Sequence, residues 1–404
     1  MNDNNYNLGD PEETADIDVI KDVNINNKLN LNIMTEIINS LPKLGIYNPI
    51  KLLDILVDKN SKELQNYMKN NSNILEFIYN QNDTSYNLKE KNIVTISLLK
   101  HLKKGSYHHI YKALDKETNN YLVIRKQIDN NTNDLYESCS DFFIHCILSL
   151  YQGKILINHQ HFRGKSVIPK IIKIGVNEKK NKMLGIMNLF NGTLYQIIQN
   201  KSIKKSIKIK IILNSLYQIA YYLDNLQKIF QFNHNDLKVN NIFYQSEIDI
   251  KNITDSTIHK INFFLGDFGF SRIKIIHPTN KKKVKVYGGA LLSYSKNKKL
   301  QSFIPGKDLY FLSHNIFVYS SNNIKAILIS FFSLFNDFNV SLTEENNWFK
   351  IYDDYNNHLD FEPSNFIRII KNSQFNQYIN SLEDLINKDL LNDNIKLNEL
   401  IKKE

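Results

Sequence analysis

Two short stretches bring together the side chains most able to do chemistry. The first is "FNHNDLKVNNIFY", Phe232–Tyr244, in which His234, Asp236, Lys238 and Asn241 stand between two apolar pieces. The second is "INFFLGDFGFSR", where an apolar run ends in Gly266-Asp267-Phe268-Gly269. Asp236, Asn241 and Asp267 offer hard oxygen atoms, the donors Mg²⁺ prefers, usually a few at a time together with substrate phosphates. A carboxylate can also orient an attacking hydroxyl, and a lysine can meet a phosphate in transit. The set therefore suits phosphoryl transfer, with Asp236 as base, Asn241 and Asp267 on the metal and Lys238 as the cation.

Such a set must be held by regular elements. A long helix precedes the first stretch, with Ile212, Leu216, Ile219, Leu223 and Leu226 forming one apolar stripe. The cluster then lies on a loop at the end of that helix, and the second stretch is a strand running into a turn. Upstream, "IVTISLLKHL", "HHIYKAL" and "NYLVIRKQI" are short and rich in β-branched and aromatic residues, as three antiparallel strands are. Residues 134–151 read as a helix and "MLGIMNL" as a buried strand. After residue 300 the pattern is again helical. A strand-rich half followed by a helix-rich half is an α+β arrangement. Before it, "LNIMTEIINSL", "PIKLLDILVD" and "NILEFIYN" carry helical patterns broken at Pro42 and Pro49, so 29–91 is expected to form a helical extension. Residues 1–28 are acidic, Asn-rich and poor in large apolar groups, and are expected to be a disordered tail.

The 404 residues suit one large or two-lobed domain at roughly 100–200 residues per domain. Net charge is +10, while the first 22 residues carry seven acids against Lys21, so the remainder holds +16. Anionic partners are favoured. Cys139 and Cys146 are the two cysteines, two helical turns apart and too far for a bridge, which fits a reducing compartment. No apolar run reaches the ~18 residues of a membrane span, and the acidic start is no signal peptide. A soluble intracellular, cytoplasmic protein is expected. The lysine clusters lack the interleaved aromatic residues of a single-strand nucleic-acid surface, so no specific nucleic-acid binding is expected.

The stretch H-x-D-L-K-x-x-N, followed by D-F-G, resembles the catalytic loop and metal loop of the protein kinase family. The resemblance implies a bilobal fold, with an antiparallel-sheet N-lobe and hinge over 92–190 and a helical C-lobe over 191–404. It implies ATP and Mg²⁺ as cofactors and a protein as substrate. Asp236 would be the catalytic base, Lys238 the γ-phosphate contact, and Asn241 and Asp267 the metal ligands. Lys238, two residues after the base, is the serine/threonine-type feature. "LKKGSYHHIYKA" resembles the glycine-rich loop, with Gly105 as its middle glycine, Lys103 and His108 in place of the other two, and Ile110 covering the base. "LGIMNLFNGTL" resembles the hinge, with Met187 as gatekeeper and the Asn188 carbonyl and Phe190 amide facing adenine. Asp308 in "PGKDLYFLSHNIF" would brace the catalytic loop.

The chain departs from the pattern in several places. Twenty residues beyond Gly105 lies Arg125, with Lys126 next to it. Successive strand residues point to opposite faces, so one of the two anchors the nucleotide. A compact ammonium suits that role better than a planar fork, which favours Lys126. Its partner on the following helix is Asp141 or Glu137, with Asp141 preferred because it directly precedes the apolar run "FFIHCIL". Asn235 stands where many family members have the arginine that pairs with a phosphorylated activation segment, so switching by such phosphorylation is not expected. In place of A-P-E the segment carries "NKKKVKVYGG", a basic run suited to an acidic or phosphorylated substrate, or else a mobile solvated stretch. The loop between the two stretches is long and suggests an extended hairpin. These departures look most like the divergent kinases of large DNA viruses, poxviruses included. Two further readings are a kinase-fold module that binds nucleotide or partner without catalysis, and a small-molecule kinase of the aminoglycoside or choline type. The latter shares H-x-D-x-x-x-x-N but not Lys238 with a full D-F-G.

Overall fold

The computed structural model describes residues 31–71, 75–80, 85–90, 93–104, 108–128, 132–158, 167–177, 182–294, 301–336, 338 and 359–378. Residues 1–28 and Gly105 lie outside them. The described residues start with the helices α1 (31–40), α2 (Pro49–Asp58) and α3 (Ser61–Asn71). Pro49 opens α2 at a position where its missing N–H costs nothing.

A seven-stranded antiparallel sheet follows, in the order β1-β2-β3-β4-β5-β7-β6. Its strands are β1 (Leu75–Asn80), β2 (Ser85–Glu90), β3 (Ile93–Lys104), β4 (His108–Asp115), β5 (Tyr121–Gln127), β6 (Ile171–Asn177) and β7 (Lys182–Asn188). Within "NILEFIYN", expected to be helical, Leu75–Asn80 is β1, paired residue for residue with β2. A run of six residues rich in aromatic and β-branched types is too short to hold a helix in isolation and fits a pleated surface.

Helix α4 (Thr132–Asn158) crosses from β5 to β6 and packs beneath the sheet. On the opposite side of the sheet Ile96, Leu98, Ala113, Leu122, Ile124, Leu184 and Ile186 form a small separate core. On β5 this side carries Leu122 and Ile124, and the other side carries Val123 and Arg125.

The second lobe is built on α6 (Lys205–Phe230), reached through β8 (Gly192–Thr193) and α5 (Leu194–Gln199). Its stripe Ile212, Leu216, Ile219, Leu223 and Leu226 is buried throughout. Strands β9 (Ile242–Ser246) and β10 (Ile261–Leu265) pair as the long hairpin expected between the two chemical stretches. Then come a second hairpin, β11 (Arg272–Ile276) with β12 (Lys283–Tyr287), and the short α7 (Gly289–Tyr294). Helices α8 (Lys307–Tyr319), α9 (Asn322–Phe332) and α10 (Pro363–Lys371) complete the described part. The result is a bilobal α+β fold with an antiparallel-sheet N-lobe and a helical C-lobe.

The helical extension is part of the main body. Met34, Leu53, Leu56, Tyr67 and Met68 share one continuous core with α4 and α6. Tyr136 on α4 donates its hydroxyl to the Leu56 carbonyl at 2.8 Å.

Candidate active site

The loop after α6 is fixed by one buried carboxylate. Asp308, fully buried in the first turn of α8, accepts the His234 N–H at 2.8 Å and the Asn233 side-chain amide at 3.1 Å on Oδ2, and the Asn235 N–H at 2.8 Å on Oδ1. An acid near a helix N-terminus is also favoured by the helix dipole. Asn233 adds two bonds to Ile304, one from its amide and one to its carbonyl oxygen, both 3.0 Å. Nothing in the sequence singles out Asn233, because its partners lie about seventy residues downstream.

The next residues converge on Asp236. Its Oδ2 accepts from Lys238 Nζ at 2.7 Å and from Asn241 Nδ2 at 3.0 Å. Asn241 Nδ2 also reaches the Asp236 carbonyl at 2.9 Å. With Nδ2 turned inward, Asn241 Oδ1 is left as a donor to an ion. Burial raises the Asp236 carboxyl above the ordinary aspartate range, Lys238 opposes the rise, and the negative charge of Asp267 adds to it.

Asp267 is exposed and follows directly on β10. Its φ of 68° is left-handed, a conformation Asp tolerates better than most residues and one that gathers at functional sites. The turn is pinned on both sides. Gly266 N–H donates to the Asn241 carbonyl at 2.9 Å, His234 Nε2 meets the Gly266 carbonyl at 3.0 Å, and Phe268 N–H donates to Asp141 Oδ1 at 3.2 Å. The Phe268 ring is fully buried against His145 and His234.

Across the cleft, Arg125 Nη2 donates to Asp141 Oδ2 at 2.6 Å. The pair with the helix acid is thus made by Arg125, where the sequence favoured Lys126. Leu122 and Ile124 belong to the core cluster above the sheet, so alternation puts Lys126 on that side and Arg125 on the side of α4. Arg125 is longer than lysine and Asp141 shorter than glutamate, and the two differences offset each other in reach. The guanidinium lies 5.0 Å from the Phe142 ring centroid. Burial works against its charge, but Asp141 and Asp267 more than compensate and its pKa is raised. Glu137 lies one turn earlier on α4, beside Gly289 rather than Arg125.

His108 is the participant the sequence did not reveal. It stands only as a glycine replacement in the sequence, yet its Nδ1 lies 3.2 Å from Arg125 Nη2. Burial, with Arg125 second, lowers its pKa well below the usual histidine value. A neutral ring then accepts from the guanidinium.

The remaining residues line the junction of the lobes. Ile110 is half-buried on β4, opposite Arg125. Met187 is buried at the end of β7 opposite Val123, and Asn188 is exposed. Phe190 stacks on Phe243 at 5.4 Å and tilts against Phe264 at 4.7 Å.

No cluster of three or more His, Cys, Asp or Glu that could enclose an ion is present among the described residues. Mg²⁺ does not need one, since it commonly takes one or two protein oxygens and completes its shell with phosphates and water. Asn241 Oδ1 and the exposed Asp267 carboxylate fit that role. The repulsion between Asp236 and Asp267 is the kind a cation would relieve.

No helix among the described residues is long and apolar enough to cross a membrane. No protein-family model and no curated protein sequence matches the chain. Among solved structures it is similar to a BubR1 kinase domain, at 15% identity and a TM-score of 0.33 over 55% of this chain and 60% of that one. It is also similar to PK-1, the kinase of Cydia pomonella granulovirus, at 22% identity and a TM-score of 0.29 over 45% of this chain and 55% of that one. The chain thus spans less than two thirds of either.

Proposed function

We propose that this chain is a serine/threonine protein kinase that uses ATP with Mg²⁺. One observation carries the reading: Lys238 and Asn241 both hold Oδ2 of Asp236, next to the exposed Asp267. The other oxygen, Oδ1, is left to accept the proton of a substrate hydroxyl. Lys238, more than a third exposed, holds the carboxylate with one end of its reach and can meet the departing phosphoryl group. Arg125, fixed by Asp141 and His108, supplies positive charge where the nucleotide phosphates would lie. Val123, Ile110 and Met187 offer an apolar seat for a base. Asn241 and Asp267 would hold Mg²⁺, which would neutralise charge on the phosphates.

Purified protein incubated with Mg²⁺, labelled ATP and mixed acidic and basic protein substrates tests this. Phosphoserine and phosphothreonine are expected, with none from Asp236→Asn. Phosphotyrosine alone, or equal transfer by Asp236→Asn, would overturn it. A second reading, a nucleotide-binding module without transfer, is favoured by the His108–Arg125 contact, which engages the cation that should meet phosphate. Tight nucleotide binding with no transfer to any substrate selects it.

A further inference from the structure

The basic run "NKKKVKVYGG" supplies the second strand of a hairpin, Arg272–Tyr287, that forms a fixed ribbon. Ile273, Ile275 and Val286 on its inner face are buried in the main core. Its tip is tied to the helical extension, since His277 Nε2 lies 3.0 Å from Asp54 Oδ1. The His277 Nδ1 accepts from the Thr279 and Asn280 N–H groups, so Nε2 carries the proton and donates. The base of the ribbon is tied to the catalytic loop by two main-chain bonds between Asn233 and Arg272, of 3.2 and 2.9 Å.

The outward face is of one sign. Arg272–Tyr287 contains no acid, and apart from the buried Arg272 its cations are lysines. Lys281, Lys282, Lys283 and Lys285 are exposed, and no carboxylate among the described residues lies within ion-pair distance of them. Lys285 sits directly opposite Lys274 across the ladder.

We propose that this ribbon is a docking surface for an acidic or phosphorylated segment of the protein substrate. The inference rests on the kinase reading above. At about 3.3 Å per residue, Lys283 opposite Ile276 is roughly 13 Å along the ribbon from Arg272, which pairs three residues before Asp236. An extended substrate would therefore place its acids about four to eight residues from the accepting hydroxyl. A peptide is favoured over other polyanions. The apolar side chains of the ribbon are buried, so it lacks the exposed apolar face of a membrane-binding element. It also lacks aromatic residues alternating with the lysines, which a nucleic-acid strand would stack on.

The test uses serine-centred peptides carrying three glutamates, or three glutamines, centred six residues from the acceptor on either side. The expected result is a KM at least tenfold lower for the glutamate peptide at low salt. That preference should fall toward unity at 0.5 M salt, and also in the full-length variant Lys281→Glu/Lys283→Glu/Lys285→Glu. Equal KM values in the wild-type protein would overturn the proposal. A fluorescent glutamate peptide with alanine as acceptor separates the two claims: binding lost in the triple variant, with no transfer to any peptide, removes the kinase reading and keeps the ribbon. Vesicles with 30% phosphatidylserine and a 20-nucleotide single-stranded RNA are run beside it. Tighter lysine-dependent binding of either would replace the peptide with that polyanion and overturn the proposal.

Discussion

Arg125 Nη2 lies 2.6 Å from Asp141 Oδ2 and 3.2 Å from His108 Nδ1, so one guanidinium nitrogen joins β5, α4 and the strand after Gly105. The pair is buried, with side-chain exposures of 10% and 3%. Removing one partner of such a pair leaves an uncompensated charge, at a cost of about 3–5 kcal/mol. Arg125→Ala is therefore expected to lower kcat/KM for ATP by at least about 100-fold and to lower the thermal midpoint as well. Lys126→Ala, on the other face, should change kcat/KM by no more than about twofold. Steady-state kinetics on both variants decide this, and the reverse order would return the anchor to Lys126.

Gly289 touches α4 too closely for any other residue. A Cβ there would lie 2.3 Å from the Glu137 Cα, and the Gly289 N–H donates to Ser140 Oγ at 2.7 Å. Backbone cannot move aside as a side chain can. Gly289→Ala should push α7 off α4 at a cost of about 1–3 kcal/mol, visible as a lower urea midpoint. Because α4 carries Asp141, activity should fall with it. A variant with an unchanged midpoint would show that the two helices are not held together as described.

His145 makes stability depend on pH. Burial, assisted by Arg125, pulls its pKa down to about 3, while its Nε2 bonds the Pro169 carbonyl at 2.8 Å. Below pH ~6.5 the unfolded chain takes up a proton that the folded chain refuses until about pH 3. Stability is therefore lost as pH falls through that window, by about 2 kcal/mol between pH 7 and pH 5 from this residue. His108, shifted the same way, adds to the loss. Urea unfolding of His145→Leu should show a pH 7 to pH 5 difference smaller by about that amount. An identical slope would mean that His145 titrates normally.

The parts of this molecule that the sequence made legible are those whose partners lie nearby in the chain. Asp236, Lys238 and Asn241 sit within six residues, and their mutual bonds follow from that spacing. The strand-then-helix order was enough to give the α+β class, and the resemblance of the two motif stretches added the bilobal form. The choice between Arg125 and Lys126 was not legible, because Val123 shares a face with Arg125 and Ile124 with Lys126, and alternation cannot rank them. His108 was not legible because its role depends on a cross-strand neighbour seventeen residues away. The ribbon could have been read further than it was. Ile273, Ile275, Val284 and Val286 alternate with polar residues, the signature of a half-buried hairpin, beneath the more conspicuous lysines.

Lys238 should set the acid limb of the pH–rate profile. The Asp236 carboxyl is raised above the usual range by burial, held back by Lys238 and raised further by Asp267. In the proposed kinase reaction Asp236 acts as the carboxylate, so activity should fall as pH drops through this raised value. Lys238→Met removes the opposing charge and one hydrogen bond. The limb should then move up by about one pH unit, with kcat reduced at neutral pH. A profile with reduced kcat and an unmoved limb would confine Lys238 to the phosphate.

Basal activity should not depend on phosphorylation of the activation segment. Asn235 is fully buried, takes the left-handed φ of 60° and donates its amide to the Phe270 carbonyl at 2.9 Å. It thus ties the catalytic loop directly to the segment after Asp267, with a neutral group that needs no phosphate to balance it. The ribbon that follows is already held by its buried face, by Asn233 and by Asp54. A phosphate added nearby could still pair with Lys281, Lys282, Lys283 or Lys285, but each exposed pair contributes at most about 1 kcal/mol. That is far short of the roughly 10⁴-fold bias needed to carry a switch from mostly off to mostly on. Phosphatase treatment before assay should leave the rate within about tenfold. A larger loss, restored by autophosphorylation at Ser293 or Tyr294, would show that the order seen around Asn235 is not the active order and that a phosphate supplies the missing constraint.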